Sequence, residues 1–425
     1  MDLSIIVPVY NSNKHLASCL QSICGQIKKN IEIILINDSS KDNSLQIIKK
    51  FKKKYNFITL IDLKKNKGVS FCRNLGLKKS MGKFIFFVDS DDLLPKNAIQ
   101  NIIKQIKSSP DLDLFFHKNI KIPKNEIDSN QFIIKKKTNS ILENIKNFEG
   151  FRATCWNFII KREFLINNKI FFKKIITFED QVFVSQILCQ VSNYKIINKV
   201  YYKWRNYETN TLGKKIGYLT ASSCLKILIE ISKLIKNKRI KLNSINKKFL
   251  ISRAKFSLIR FFQNILICDS RELDKLNAYI KTNKIQLKSL SILGNYKTLS
   301  KPLIELQTKN LKLINNKKIS DLRKKIFNNK KIILICLGYY GKIILKVLKK
   351  LTKKIDLIID DNKQFNGKSE DQVKIRNYLF LKKNINKYHE HTLAICQNKK
   401  KEIYSIKRRL LNMKFYRKNI TYIDL

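Results

Sequence analysis

Acidic residues are scarce in this chain. Its 425 residues hold 32 Asp and Glu against 87 Lys and Arg, a formal charge of +55. Long apolar runs are also missing. None approaches the roughly 18 residues that a membrane-crossing helix needs, so a spanning protein is not expected. No Cys-X-X-Cys pair occurs among the nine cysteines, an odd number. Cys19, Cys155, Cys189, Cys336 and Cys396 lie in apolar stretches, which reads as buried free thiols in a reducing compartment. Met1-Asp2 runs straight into apolar residues without a leader-like segment, so the expected location is cytoplasmic. Histidine numbers four, and His389-Glu390-His391 reads as a solvated loop rather than a metal site. No helix-turn-helix, RNP-like or zinc-finger pattern is present, so nucleic acid is not an expected partner.

Hydrophobic residues make up 44% of the chain, enough for sizeable cores and for two or three domains. The charge excess has two readings. Lys, Ile and Asn are abundant throughout, as an AT-rich genome would give. An anionic membrane surface would also reward each nearby cation by about 1 kcal/mol. The functional expectation is peripheral attachment to the inner face of the cell membrane.

Residues 1–105 alternate short apolar runs with helical stripes. Leu3–Val9, Glu32–Asn37, Phe57–Ile61 and Phe84–Val88 read as strands. The intervening segments, such as Leu16, Cys19, Leu20 and Ile23, have helical spacing. Regular alternation predicts an α/β, doubly wound parallel sheet, with ligands beyond the carboxyl ends of its strands. Asp38 and Asp89 stand at two such ends. Leu112–Phe116 and Tyr194–Trp204 read as further strands, with a helix starting near Glu179. Residues 213–328 are Lys-rich and read as amphipathic helices. Residues 329–425 return to β-α alternation, which predicts a small Rossmann-like module. The expected domains are thus 1–212, with a nucleotide half to 105 and an acceptor half from 106, then 213–328, then 329–425.

Asp89-Ser90-Asp91-Asp92 follows an apolar strand directly. Clustered carboxylates there could hold a hard cation against a diphosphate; alone, they could equally be an acidic turn. Three other segments accompany them. Ser4-Ile5-Ile6-Val7-Pro8-Val9-Tyr10-Asn11, Ile36-Asn37-Asp38-Ser39-Ser40 and Asn66-Lys67-Gly68-Val69-Ser70 with Cys72-Arg73-Asn74 occur in order before it. This set resembles glycosyltransferase family 2, of the bacterial cell-surface glycan type (capsule or lipooligosaccharide). The resemblance implies a GT-A-type fold and an inverting, metal-dependent sugar transfer from a nucleotide-sugar donor, UDP-linked. The acceptor would be a glycan or a lipid-linked glycan.

The resemblance also implies roles. Pro8, Tyr10 and Asp38 would line the nucleoside pocket, and Arg73 would lie near the nucleoside or its phosphates. Asp89 would reach the ribose or the metal. Asp91 would hold Mn²⁺ or Mg²⁺, joined by Asp89 or Asp92. In Thr177-Phe178-Glu179-Asp180, Asp180 would take the acceptor's proton, with Glu179 beside it. Trp156 would stack on a sugar or serve as core. Arg205, in the Tyr-rich segment closing this domain, would meet the diphosphate or be a surface charge. Many relatives carry Lys after the Trp-Asn pair, where this chain has Phe158.

In the tail, Gly338-Tyr339-Tyr340-Gly341 falls short of a dinucleotide fingerprint, because Cys336 stands where its first glycine would be. Asp360 and Asp361 follow about 20 residues on, where an acid would read a ribose. An interaction module is the favoured reading, ahead of a nicotinamide-dinucleotide enzyme. The rival for the whole chain is a non-catalytic scaffold of glycan assembly with a degenerate transferase domain.

Overall fold

The computed structural model describes residues 1–122, 126–127, 140–145, 147–148, 151–205, 217–265, 268 and 270–282. In the C-terminal part it describes 332–335, 355–360, 369–370, 373–388, 391–395, 400–413, 415 and 420–422. These fall into two compact units. One takes in Met1–Lys215 and Ser222–Leu258; the other takes in Ile216–Ala221, Ile259–Lys284 and the C-terminal strands.

The first unit is built on an eight-stranded sheet. Strands β1 (Leu3–Val9), β2 (Ile31–Asn37), β3 (Ile58–Asp62) and β4 (Phe84–Phe87) are joined through helices α1 (Asn13–Cys24), α2 (Ser44–Lys54) and α3 (Val69–Lys79). After α4 (Ala98–Ser108) come β5 (Leu114–Ile122), β6 (Glu126–Ile127), β7 (Phe158–Lys161), α5 (Arg162–Asn167), α6 (Asp180–Gln190) and β8 (Tyr194–Arg205). The sheet order is β3-β2-β1-β4-β7-β5-β6, with β8 on β5. Strands β1 to β4 run parallel, as the alternation predicted. Strand β7 then enters antiparallel between β4 and β5.

Strands β1, β2 and β4 are buried at every position, which explains why they read as mainly apolar runs rather than as alternating ones. Successive side chains feed opposite faces. Ile5, Val7, Ile33, Leu35, Phe84 and Phe86 join a core with α1, α2 and α4. Ile6, Ile34, Ile36, Ile85 and Phe87 join a second core with Cys72 and Leu77 of α3 and Phe183, Val184 and Ile187 of α6. At Gly76 α3 lies so close to β1 that a Cβ would overlap Ile6 Cγ2.

Helices α7 (Tyr218–Lys236), α8 (Ser244–Ile265) and α9 (Ser270–Thr282) account for the described part of the Lys-rich region. Among the described residues no helix is long and apolar enough to cross a membrane. Seven cysteines are described, all free; all but the half-buried Cys189 are buried. Cys336 and Cys396 lie outside the described residues.

The second unit contains a six-stranded sheet. Its strands are β9 (Ile332–Ile335), β10 (Ile355–Ile359), β11 (Ser369–Glu370), β12 (Val373–Arg376), β13 (Thr392–Ile395) and β14 (Ile420–Tyr422). The order β11-β12-β10-β9-β13-β14 is parallel except for the short β11. Asp360 follows β10 and its amide donates to the Arg376 carbonyl at 2.9 Å. The Gly338–Gly341 turn, Asp361, His389 and Glu390 lie outside the described residues. His391 corrects the expectation of a solvated loop. It is 4% exposed and its Nε2 lies 3.0 Å from Asp356 Oδ2, so the ring is a packed partner of β10.

Candidate active site

The carboxyl ends of β1, β2 and β4 meet along one edge. Pro8 is buried within β1, while Tyr10, just past it, is 46% exposed. The loops after β1 and β2 are tied to each other. The Ser12 amide donates to Ser44 Oγ at 2.8 Å, the Asn13 amide to Asp42 Oδ2 at 2.9 Å, and the Lys41 amide to Asn11 Oδ1 at 2.8 Å. Asp38 is 3% exposed. Its two carboxylate oxygens accept from the Lys67 and Gly68 amides at 2.7 and 2.8 Å. Gly68 turns its amide there with φ +87, a conformation that favours glycine. Asp38 therefore fixes the loop entering α3.

The acidic turn after β4 is anchored to β8. Tyr202, fully buried, donates its hydroxyl to Asp92 Oδ2 at 2.8 Å and accepts from the Asp89 amide at 3.0 Å. The Arg205 amide donates to Asp92 Oδ1 at 2.7 Å. Both oxygens of Asp92 are thus engaged within the protein, and the residue is 5% exposed. Arg205 reaches along the turn, with Nη1 donating to the Asp91 carbonyl at 3.2 Å and Nη2 to Ser18 Oγ at 3.1 Å. Trp156 is 5% exposed and stacks on the Tyr202 ring, centroids 4.4 Å apart and planes 5° apart. The indole therefore supports the anchor of the acidic turn from below. Tyr202 was visible in the sequence only as one of several tyrosines in a strand.

Arg73 is the centre of the arrangement. The guanidinium is 3% exposed, enclosed rather than open to a phosphate. Nη2 meets Asp89 Oδ1 at 2.8 Å; Nη1 meets Glu179 Oε1 at 2.6 Å and Asp180 Oδ1 at 3.2 Å. The Phe172 ring covers it at 5.1 Å. Asp180 opens α6, and its Oδ2 accepts from the Cys155 amide at 3.3 Å. One buried cation therefore joins the turn after β4 to the acidic pair at the start of α6. The sequence placed all four residues in one site, yet nothing local signalled that they touch.

Three carboxylates around one guanidinium leave excess negative charge in a largely buried site. Burial pushes the Asp180 carboxyl up to about 7; Arg73 pulls it down, while Glu179 and Asp89 push it further up. Burial, with the charge of Asp89, lifts Asp91 to about 6. Burial also holds Asp92 well above the usual carboxylate range, with Asp91 and Asp89 adding to it. A divalent cation would relieve the charge on Asp91 and Asp89. Mg²⁺ and Mn²⁺ sites of this kind take one or two carboxylates and complete themselves with phosphate oxygens. Asp91 and Asp89 fit that requirement; the doubly engaged Asp92 does not. Among the described residues no group of three or more metal-ligating side chains gathers, so phosphate or water oxygens would have to supply the remaining ligands.

Comparison with known proteins agrees with this architecture. Residues 4–168 match glycosyl transferase family 2. The poly(ribitol-phosphate) beta-N-acetylglucosaminyltransferase TarP of Staphylococcus aureus is 30% identical over 302 residues, covering 67% of this chain and 89% of TarP. Glycosyltransferase GlyG of Streptococcus pneumoniae is 35% identical over 105 residues, covering 25% of this chain and 35% of GlyG. The crystal structure of S. aureus TarS 1–349 with UDP-GlcNAc has a TM-score of 0.54 at 21% identity, covering 74% of this chain and 92% of that one. The chain spans less than two thirds of several curated relatives, including 54% of the minor teichoic acid biosynthesis protein GgaA of Bacillus subtilis. The sheet order and acidic turn define a GT-A-type fold of the nucleotide-sugar transferases. The chain belongs to glycosyl transferase family 2.

Proposed function

We propose that the chain is an inverting glycosyltransferase that moves a sugar from a UDP-linked donor to a cell-surface glycan, with Asp180 as base. The observation that carries this reading is the Arg73 cluster. It brings a carboxyl lifted to about 7 beside the acidic turn at the strand ends, within one buried ion-pair network. A general base works best with a pKa near the operating pH. In the step, the acceptor hydroxyl gives its proton to Asp180 and its oxygen bonds the anomeric carbon. The bond from that carbon to the diphosphate breaks, and its electron pair leaves on the phosphate oxygen.

Asp91 and Asp89 would hold Mn²⁺ or Mg²⁺, whose charge stabilises the leaving diphosphate. Arg205 stands beside that turn as a second cation, besides the buried Arg73. Tyr10 forms the exposed rim on the nucleoside side, while Asp38 holds the loop entering α3. The β-linkage in the name of TarP and the UDP-GlcNAc bound to TarS support a UDP-sugar donor and inversion. We carry residues 329–425 as an interaction module.

The test is calorimetric binding of UDP-GlcNAc and a panel of other UDP-sugars, with Mn²⁺ and with EDTA. Metal-dependent binding lost in Asp91→Ala is the expected result. Tight binding indifferent to both EDTA and that substitution would overturn the metal assignment, and no binding of any UDP-sugar would overturn the donor class.

A further inference from the structure

We propose that the outer side of α3, together with the segment running from α5 towards α6, is a docking surface for an anionic lipid bilayer. Nine large apolar side chains stand exposed among the described residues. Four of them, Phe71 at 43%, Met81 at 69%, Ile166 at 36% and Ile176 at 44%, come from residues 64–83 and 164–177. These two segments are laced together. Asn74 Nδ2 donates to the Phe172 carbonyl at 2.8 Å, the Phe172 amide donates to Asn74 Oδ1 at 2.9 Å, and Ser70 Oγ donates to the Ile175 carbonyl at 3.2 Å. An open groove of about 350 Å³ runs there, lined by Phe71, Asn74, Leu75, Lys78 and Phe171.

Charge identifies the occupant. Residues 64–83 contain six lysines and residues 164–177 contain three, and neither segment contains Asp or Glu. Apolar side chains framed by lysines match a bilayer surface of negative headgroups over hydrocarbon. The lysine stems lie along the apolar layer while their ammonium groups reach the headgroups. A second copy of the chain fits poorly, since a two-fold contact through this patch would set lysines against lysines. Insertion and charge attraction together supply the two signals that stable attachment needs. The proposal does not depend on the transferase reading, because none of these exposed residues belongs to the Arg73 cluster.

The test is flotation of the full chain with phosphatidylcholine vesicles, with and without phosphatidylglycerol. A chain of this net charge could bind anionic vesicles anywhere, so matched variants decide. Phe71→Ser with Ile176→Ser leaves the charge unchanged and is expected to weaken binding to the anionic vesicles roughly tenfold. Lys78→Glu with Lys174→Glu is expected to weaken it at least as much. Lys49→Glu with Lys53→Glu makes the same change of charge on α2, which packs on the opposite face of the sheet. That pair is expected to leave binding within about twofold, because it lies outside the contact. Unchanged binding by the apolar pair, or equal losses from the two charge pairs, would overturn the proposal. So would light scattering that shows a dimer dissolved by Phe71→Ser. UDP-GlcNAc binding and thermal unfolding of each variant separate a docking defect from a folding one.

Discussion

Replacing Arg73 tests how the site sets its own chemistry. The guanidinium lies 3.2 Å from Asp180 Oδ1 in a pocket where the aspartate side chain is 14% exposed. At an effective dielectric of about 20, unit charges at that separation attract by about 5 kcal/mol, an upper figure for the pair. Opposite charges this close lower a carboxyl pKa by about one to three units. Asp180 stands at about 7 with Arg73 in place. It acts as a base only when ionised, so kcat/KM should fall as pH drops below about 7 in the wild type. In Arg73→Met the downward pull is lost, and the acid limb should move up by about one to three pH units. Arg73→Lys keeps the charge but not the fork that reaches Asp89 and Glu179 together. Its limb should stay within about half a pH unit of wild type while kcat falls. The assay is UDP release against pH, with unfolding followed in parallel. Stranding buried carboxylates costs about 3–5 kcal/mol, so Arg73→Met will be less stable. A folded Arg73→Met with an unmoved acid limb, or an Arg73→Lys limb that moves as far as the Met variant's, would refute the reasoning.

Two further changes probe the frame of the site. Tyr202→Phe removes the hydroxyl that serves Asp92 and the Asp89 amide; it should cost about 1–3 kcal/mol in urea unfolding and weaken donor binding, and an unchanged midpoint would show that the turn is held elsewhere. Gly76→Ala gains about 1 kcal/mol of helix propensity but drives a Cβ into the buried, branched Ile6. Overpacking of that kind costs about 1–3 kcal/mol, so the net change should be destabilising; a rise in Tm would show that α3 can lift off β1.

Strands β1, β2 and β4 were legible in the sequence because they are buried on both faces and are apolar at all but Ser4, Glu32 and Asn37, and their helices followed from the intervening periodicity. Strand β7 was not. Its four residues, Phe158–Lys161, follow a Trp-Asn pair that drew attention as chemistry, and its antiparallel entry between β4 and β5 is a non-local choice. The same limit applies to the site. Asp38, Asp89, Asp91 and Asp180 could be named from motifs. What they touch could not, because Arg73 meets Glu179 and Asp180 across 106 and 107 residues, and Asp92 meets Tyr202 across 110. Trp156 shows the converse. Its identity suggested a sugar platform, and only the tertiary fold places a parallel Tyr202 ring over its face.

The most direct measurement is turnover by Asp180→Asn alongside its affinity for the UDP-sugar. Asparagine keeps the shape and can still accept from the Cys155 amide, but it cannot take the acceptor's proton. The account predicts donor binding within about threefold of wild type and a loss of kcat of about 10²–10⁴-fold. Full turnover by a folded Asp180→Asn would contradict it.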